Sequence, residues 1–171
     1  MGDEARGMTS AIRQSLYRLF RRLPARVRVF LVRRATPSYW VGAMCVVERS
    51  DGALLLVRQS YRRGWTFPGG LLKRNEAPAR AAVRETREEV GLEVEVDDHP
   101  RVVVDAPRRR VDVVFRARLA AEGDGQEATP VSPEILEVRW FAPDQLPVVQ
   151  RETAEALVEL GRAVRPPAAP D

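Results

Sequence analysis

The sequence predicts one α/β domain, a sandwich of strands between helices, preceded by a short helical arm. Short β-rich runs begin near residue 39, and helices of about 14 residues follow in the middle and at the end of the chain. The length of 171 residues suits one domain with an appendage. We assign residues 1–37 to the arm, 38–164 to the domain and 165–171 to a disordered tail.

The arm is basic and has helical periodicity. Apolar and arginine side chains alternate over residues 9–23, so that one face of a helix is apolar. Pro24 interrupts this helix, and residues 25–35 can form a second one before Pro37. Packing or homodimerisation is the favoured role, because arginine is common throughout the chain. Attachment to an anionic membrane surface is the weaker alternative, so we expect no membrane partner.

From Tyr39 the pattern changes to short strands. The runs WVGAMCVVE and ALLLVR, joined by the turn residues RSDG, predict a hairpin. A glycine-bearing loop leads to a helix over Ala77–Val90, with Pro78 in its first turn and Gly91 as its C-cap. A loop over residues 120–133 and an amphipathic helix over 151–164 complete the domain. Four more strands are predicted, over Leu92–Val96, Arg101–Val104, Val111–Leu119 and Glu137–Phe141.

Composition narrows the classes of function. The net charge of +4 suits anionic ligands such as phosphates. It does not by itself indicate binding of a nucleic-acid polymer, which needs a patterned basic patch, and we expect no such partner. The single cysteine, Cys45, excludes an internal disulfide and fits a reducing compartment. No apolar run reaches the roughly 18 residues that span a bilayer, and the first residues lack the apolar region of a signal peptide. We therefore expect a cytoplasmic protein.

The helix Ala77–Val90 carries three carboxylates within one turn, at Glu85, Glu88 and Glu89. Glu85 and Glu89 are four residues apart, where like charges cost a few tenths of a kcal/mol. A solvated face with an Arg84–Glu88 ion pair is one explanation. A site for Mg²⁺ or Mn²⁺ explains the stacking better, because a cation removes the repulsion, bridges phosphate oxygens and activates water. The spacing therefore predicts metal-assisted phosphate chemistry of unspecified type.

The stretch GLLKRNEAPARAAVRETREEVGL, from Gly70 to Leu92, resembles the signature of the Nudix hydrolases. The one departure is Thr86 at an apolar position, where the threonine methyl group can still pack. The similarity includes the preceding WTFPGG and covers about residues 39–161, leaving the arm outside. The matching positions are Gly70, Glu76, Arg84, Glu85, Glu88, Glu89, Gly91 and Leu92.

This resemblance implies a Nudix α/β/α sandwich with a mixed sheet between helices. The implied activity is hydrolysis of a pyrophosphate bond in a nucleoside diphosphate linked to another moiety. The alternative is a non-catalytic module that binds or senses nucleotides, but such modules usually lose the glutamates that are present here.

The resemblance also implies roles for individual residues. The metal ligands would be Glu85, Glu88 and Glu89, often joined in relatives by the carbonyl of Gly70. Arg84 would orient these carboxylates. Glu76 would support the loop or coordinate through water. The general base would be Glu88, Glu89 or a glutamate from a loop, for which Glu127 and Glu134 are the candidates.

Residues outside the signature would choose a small nucleotide such as a (d)NTP, ADP-ribose or a sugar nucleotide. Arg108, Arg109 and Arg110 either hold a terminal phosphate or form a solvated turn. Trp65 and Phe67 are candidates for stacking on a base.

Pro107 lies about 15 residues beyond the signature, where relatives acting on ADP-ribose carry a proline. An ordinary hairpin turn is the favoured explanation for it.

Overall fold

The computed structural model describes residues 14–120 and 127–161. The chain divides into two compact units, Met1–Ser38 and Tyr39–Asp171. Eight strands and two helices lie in the described part of the second unit. They are β1 (Trp40–Val47), β2 (Leu54–Gln59), β3 (Trp65–Thr66), β4 (Gly69–Leu71), α3 (Pro78–Val90), β5 (Val94–Val96), β6 (Arg101–Asp105), β7 (Arg110–Leu119), β8 (Ile135–Phe141) and α4 (Arg151–Glu159).

The first unit contains two helices separated by Pro24. Residues 14–22 form α1, and Ala25–Ala35 form α2. The carbonyl of Pro24 accepts hydrogen bonds from the backbone of Val27 and Arg28, at 3.0 and 3.1 Å, and so begins α2. The predicted second helix is confirmed, while residues 9–13 of the first lie outside the described range. Of the described helices, none is long and apolar enough to cross a membrane.

The strands of the second unit form two sheets. The first has five strands in the order β4-β1-β7-β5, with β6 also paired to β7. It is mixed, because β1 and β7 run parallel from the Trp40–Arg110 pair to the Val47–Ala117 pair, whereas its other pairs are antiparallel. The second sheet is antiparallel, in the order β3-β2-β8.

The predicted hairpin between β1 and β2 is wrong, because these strands belong to different sheets. Among the described residues, the pairing between them is one isolated antiparallel bridge, from Glu48, just after β1, to Leu54 of β2. The RSDG turn itself forms, with the Arg49 amide donating to the Ala53 carbonyl at 2.9 Å. Both strands are buried on both faces, so their sequences lack the alternation that would have indicated their partners.

Helices cover both faces of the strand layer. On β1, Cys45 points into a cluster that includes Ala82 of α3. The adjacent Met44 points into a second cluster, which includes Leu157 of α4. This alternation places α3 and α4 on opposite sides of the strands, and the α/β/α sandwich is confirmed.

The ends of α3 agree with the sequence prediction to within one residue. Pro78 occupies the first turn. Gly91 ends the helix with φ of 72°, a left-handed conformation that favours glycine. Thr86 is fully buried, and its hydroxyl donates to the Ala82 carbonyl at 2.8 Å. The threonine in the signature therefore packs its methyl group without leaving a polar atom unpaired.

The last helix is shorter than predicted. α4 covers Arg151–Glu159 instead of residues 151–164. Residues 121–126 of the predicted loop and the predicted tail, 165–171, lie outside the described range.

Candidate active site

Arg84 of α3 is the centre of a carboxylate network. Its Nε and Nη2 donate to the two carboxylate oxygens of Glu76 at 2.7 and 2.8 Å. Its Nη1 donates to Glu85 at 2.7 Å and to Glu88 at 3.0 Å. The bidentate pair with Glu76 fixes the plane of the guanidinium. These hydrogen bonds, that of Glu76 first, raise the pKa of Arg84 above its usual value.

Glu76 closes the loop between β4 and α3. Besides pairing with Arg84, its carboxylate accepts the backbone N–H of Lys73 at 2.7 Å. The hydrogen bonds from Arg84, and then from the Lys73 backbone, lower the pKa of Glu76 to about 2. The structure thus shows the supporting contact that the resemblance implies for this residue.

Glu89 is the buried carboxylate of the group. It is 6 % exposed, and one oxygen accepts the Gly69 N–H at 3.0 Å. Desolvation by burial, together with repulsion from Glu85, Glu134 and Glu88, raises its pKa to about 8. A cation at this position would favour the ionised form, because it would offset both effects.

Glu88 lies at the rim of the site. Its side chain is 52 % exposed. Lys73 Nζ lies 3.3 Å from one of its oxygens, and Arg84 donates to the other. Partial desolvation raises the pKa of Glu88, but these two donors lower it further, so the net shift is downward. The sequence analysis missed Lys73, although the only lysine of the chain lies three residues after Gly70.

Gly70 leaves room for the Glu85 carboxylate in its present position. Gly70 lies in β4 opposite Ala43, and a Cβ built on it would be 2.6 Å from both Cδ and Oε1 of Glu85. No real Cβ tolerates such a contact, so a larger residue would displace the carboxylate. A Cβ at position 70 would therefore change the position of the Glu85 carboxylate, separately from any role of the Gly70 carbonyl.

The oxygens of Glu85, Glu88 and Glu89 fit a hard divalent cation in chemical type. Within residues 14–120 and 127–161, however, no three acidic side chains converge on one point at ligand distance. Glu85 and Glu88 are directed toward Arg84, and Glu89 toward Gly69. Binding a cation would therefore exchange some of these hydrogen bonds for coordination bonds.

Glu134 is one of the two loop glutamates considered as general base, and the structure brings it near the site. It is exposed immediately before β8, and its backbone carbonyl accepts the Ser60 N–H at 2.8 Å. Its charge contributes to the raised pKa of Glu89. Glu127 is exposed at the start of the same segment, which is held at α3 by the Val131 N–H donating to the Glu89 carbonyl at 3.0 Å.

The three adjacent arginines have different environments. Arg108 donates to Asp105 at 2.9 Å within the β6–β7 turn, and Arg109 is exposed with φ of 51°. Pro107 is exposed in the same turn, which joins the paired residues Asp105 and Arg110. The hairpin turn predicted here is therefore confirmed.

Arg110 is the first residue of β7, which β1 separates from β4, the strand that carries Gly70. Its Nε donates to both oxygens of Asp112, at 2.9 and 2.7 Å, and Asp112 is 2 % exposed. A Cβ built on Gly42 would overlap the Asp112 carboxylate and lie 3.3 Å from the Gly70 carbonyl oxygen and 3.4 Å from Arg110 Nη2. Gly42 thus leaves the room in which Asp112 holds Arg110 close to Gly70.

The aromatic candidates also separate. Phe67 is 1 % exposed and packs in the core with Met44. Its ring has no face available to a base, so the stacking role predicted for Phe67 is wrong. Trp65 is half-buried, edge-on to Phe141 at 4.9 Å. Tyr61, which the sequence analysis missed, is 62 % exposed. Its pKa is raised by partial burial and then by the charges of Glu134 and Glu89, so its hydroxyl lies within electrostatic range of these carboxylates.

A family model and a sequence relative both match most of the second unit. The sequence model of the NUDIX domain matches residues 38–160. A MutT-like protein of Streptomyces ambofaciens is 37% identical over 110 residues, which cover 64% of this chain and 68% of that protein.

Two solved structures are also similar. A MutT NUDIX hydrolase from Burkholderia pseudomallei is 28% identical with a TM-score of 0.62, and the match covers 72% of this chain and 99% of that one. An ADP-ribose pyrophosphatase from Streptococcus suis is 25% identical with a TM-score of 0.56, covering 75% and 96%.

Proposed function

This chain belongs to the Nudix hydrolase family and is a Nudix pyrophosphohydrolase, and we propose that it cleaves a pyrophosphate bond of a small nucleotide with Mg²⁺ or Mn²⁺ held by the signature glutamates. The observation that carries the proposal is the acidic group itself. Burial of Glu89, and then the charges of neighbouring carboxylates, raise its pKa to about 8, an unfavourable arrangement that a divalent cation would relieve.

The proposed ligands are Glu85, Glu88 and Glu89, with the Gly70 carbonyl as a further candidate. When bound, the ion would polarise phosphate oxygens and lower the pKa of a water molecule. Arg84 has the proposed task of orienting the ligands, and its 2.7 and 3.0 Å contacts to Glu85 and Glu88 support that role. Glu76 supports it indirectly by fixing the plane of the Arg84 guanidinium.

For the general base we favour Glu134 over Glu88. Arg84 and Lys73 hold Glu88 and lower its pKa, which weakens it as a proton acceptor. Glu134 is exposed and close enough to raise the pKa of Glu89. Glu134→Gln should lower kcat at least about 100-fold, the usual size of such an effect. Glu127→Gln is the matched control and should leave kcat unchanged; equal losses in both variants would contradict this choice.

The proposed substrates are nucleoside diphosphate derivatives, that is a (d)NTP, ADP-ribose or a sugar nucleotide. Arg110 is the arginine that we favour for an anionic group. Its Nε is held by Asp112 and its Nη1 lies 3.9 Å from Glu152, while its Nη2 lies on the side of Gly70. Tyr61 is the proposed stacking residue in place of Phe67. The similarity to an ADP-ribose pyrophosphatase makes ADP-ribose the first compound to try.

Product chromatography tests the proposal. The purified protein is incubated with Mg²⁺ and a panel of dGTP, 8-oxo-dGTP, ATP, ADP-ribose, UDP-glucose and a diadenosine polyphosphate. We expect cleavage of at least one compound at its pyrophosphate bond, abolished by EDTA and by Glu89→Gln but retained in Glu155→Gln, a glutamate of α4. Cleavage that survives in Glu89→Gln would refute the assigned site. Binding without cleavage across the panel would support the non-catalytic alternative.

A further inference from the structure

The excess positive charge of the chain is confined to its first 38 residues. Nine arginines and two acidic residues lie there, whereas residues 39–171 contain 19 basic and 22 acidic residues. Residues 14–36 contain seven arginines and no acidic residue. The arm is therefore strongly cationic and the second unit is slightly anionic. None of the residues proposed for hydrolysis belongs to the arm.

α1 has two distinct faces. At 100° per residue the apolar side chains lie on one side of the helix and the arginines on the other. Leu16 and Leu19 are each 60 % exposed. The apolar side consists of Leu16, Leu19, Phe20 and the following Leu23, and the basic side of Arg18, Arg21 and Arg22.

α2 also carries apolar and basic side chains, but they are interleaved around the helix instead of lying on two separate sides. None of its residues is buried. Phe30 is 66 % exposed, and the arginines of its last turn, Arg33 and Arg34, are near its C-terminus, where positive charge is favoured by the helix dipole. The other exposed apolar side chains of α2 are Val27, Val29, Leu31 and Val32.

We propose that α1 and α2 bind the surface of an anionic phospholipid bilayer. Their apolar side chains would enter the boundary between headgroups and acyl chains, and their arginines would contact the lipid phosphates. An anionic bilayer is the partner that supplies both an apolar medium and negative charge. A second copy of α1 and α2 would bring seven further arginines against the first seven. RNA offers phosphates but no apolar layer for Leu16 or Phe30.

Sedimentation of the full-length protein with lipid vesicles tests the proposal. We expect binding to phosphatidylcholine vesicles that contain phosphatidylglycerol and none to vesicles of phosphatidylcholine alone. Binding should weaken as NaCl is raised, because salt screens the arginine–phosphate attraction. Hydrolytic activity in solution should be the same in all arm variants, because none of the altered residues belongs to the catalytic site.

Two arm variants separate the apolar and electrostatic contributions. Leu16→Ser with Leu19→Ser removes apolar surface at constant charge and should lower the partition coefficient at least about tenfold. Replacing Arg18, Arg21 and Arg22 together by glutamine should lower the partition coefficient on the order of 100-fold, about fivefold for each arginine. Val158→Ser is the control, because Val158 is also an exposed apolar residue of a helix, 63 % exposed on α4, and it should bind like the wild type.

Three results would overturn the proposal. The first is equal binding to vesicles with and without phosphatidylglycerol. The second is unchanged binding in the serine variant. The third is an absence of vesicle binding. Sedimentation velocity and filter binding of the same variants would then show whether the arm mediates a dimer or binds single-stranded RNA instead.

Discussion

Replacing Glu89 by glutamine should stabilise the metal-free protein at neutral pH while abolishing turnover. Burial and neighbouring carboxylates raise the pKa of Glu89 from 4.5 to about 8. Because the folded pKa is above the unfolded pKa, the stabilising contribution is fully present below pH 4.5 and is lost as the pH rises toward 8. The wild type thus sacrifices stability at neutral pH to keep a carboxylate where the cation is proposed to bind.

The size of this effect follows from the two pKa values. At pH 7 the unfolded carboxyl group is about 2.5 pH units above its pKa, whereas the folded group is still mostly protonated. At about 1.4 kcal/mol per unit, this difference is about 3 kcal/mol. Glutamine has no proton to lose, and its oxygen can accept the Gly69 N–H that Glu89 accepts at 3.0 Å. The variant should therefore avoid this loss.

Urea unfolding in EDTA at pH 4.5 and pH 7 measures the effect. Glu89→Gln should gain about 3 kcal/mol over the wild type on going to pH 7. The matched control is Glu88→Gln, which should gain nothing, because the pKa of Glu88 is lowered. Saturating Mg²⁺ should stabilise only proteins that keep the site. The reasoning is refuted if the difference between Glu89→Gln and the wild type is the same at both pH values.

Three further predictions concern residues around the network. Gly70→Ala should lower kcat at least about tenfold with an unchanged circular dichroism spectrum, because its Cβ would displace Glu85; wild-type turnover would contradict this. Glu76→Gln should lose stability at pH 7 and flatten the decline of the urea midpoint below pH 4.5, because the lowered pKa of Glu76 stabilises above that pH and is lost toward pH 2; an unchanged decline would oppose it. Arg110→Lys should raise KM more than it lowers kcat in steady-state assays, since lysine cannot bind an anion in bidentate fashion; an unchanged KM would remove Arg110 from the substrate site.

The elements that the sequence predicted well are those whose ends are marked by proline or glycine. The bounds of α3 could be predicted because Pro78 and Gly91 mark its two ends. The β6–β7 turn could be predicted for the same reason. The separation of β1 and β2 into two sheets could not, because the partner of a strand buried on both faces depends on distant residues such as those of β7 and β8.

The candidate site shows the same division. Spacing along one helix brought Glu85, Glu88 and Glu89 together, since residues four apart share a face. The contacts that distinguish the three come from other elements: the Gly69 N–H from β4 and the Lys73 ammonium from the following loop. Arg110 and Asp112 are two residues apart, so their sequence positions predict that they share one face of a strand. Their proximity to Gly70 could not be predicted, because it depends on Gly42 of another strand.

The most direct test of the central claim is a titration of the EDTA-treated protein with Mn²⁺, following the electron paramagnetic resonance signal of the free ion. We expect the wild type to bind Mn²⁺ saturably, and we expect this binding to be lost or weakened at least about tenfold in Glu89→Gln and in Glu85→Gln. Glu155→Gln, with its change on α4, should bind like the wild type. Equal Mn²⁺ binding by the wild type and Glu89→Gln would show that the buried glutamate is not a metal ligand and would contradict the account.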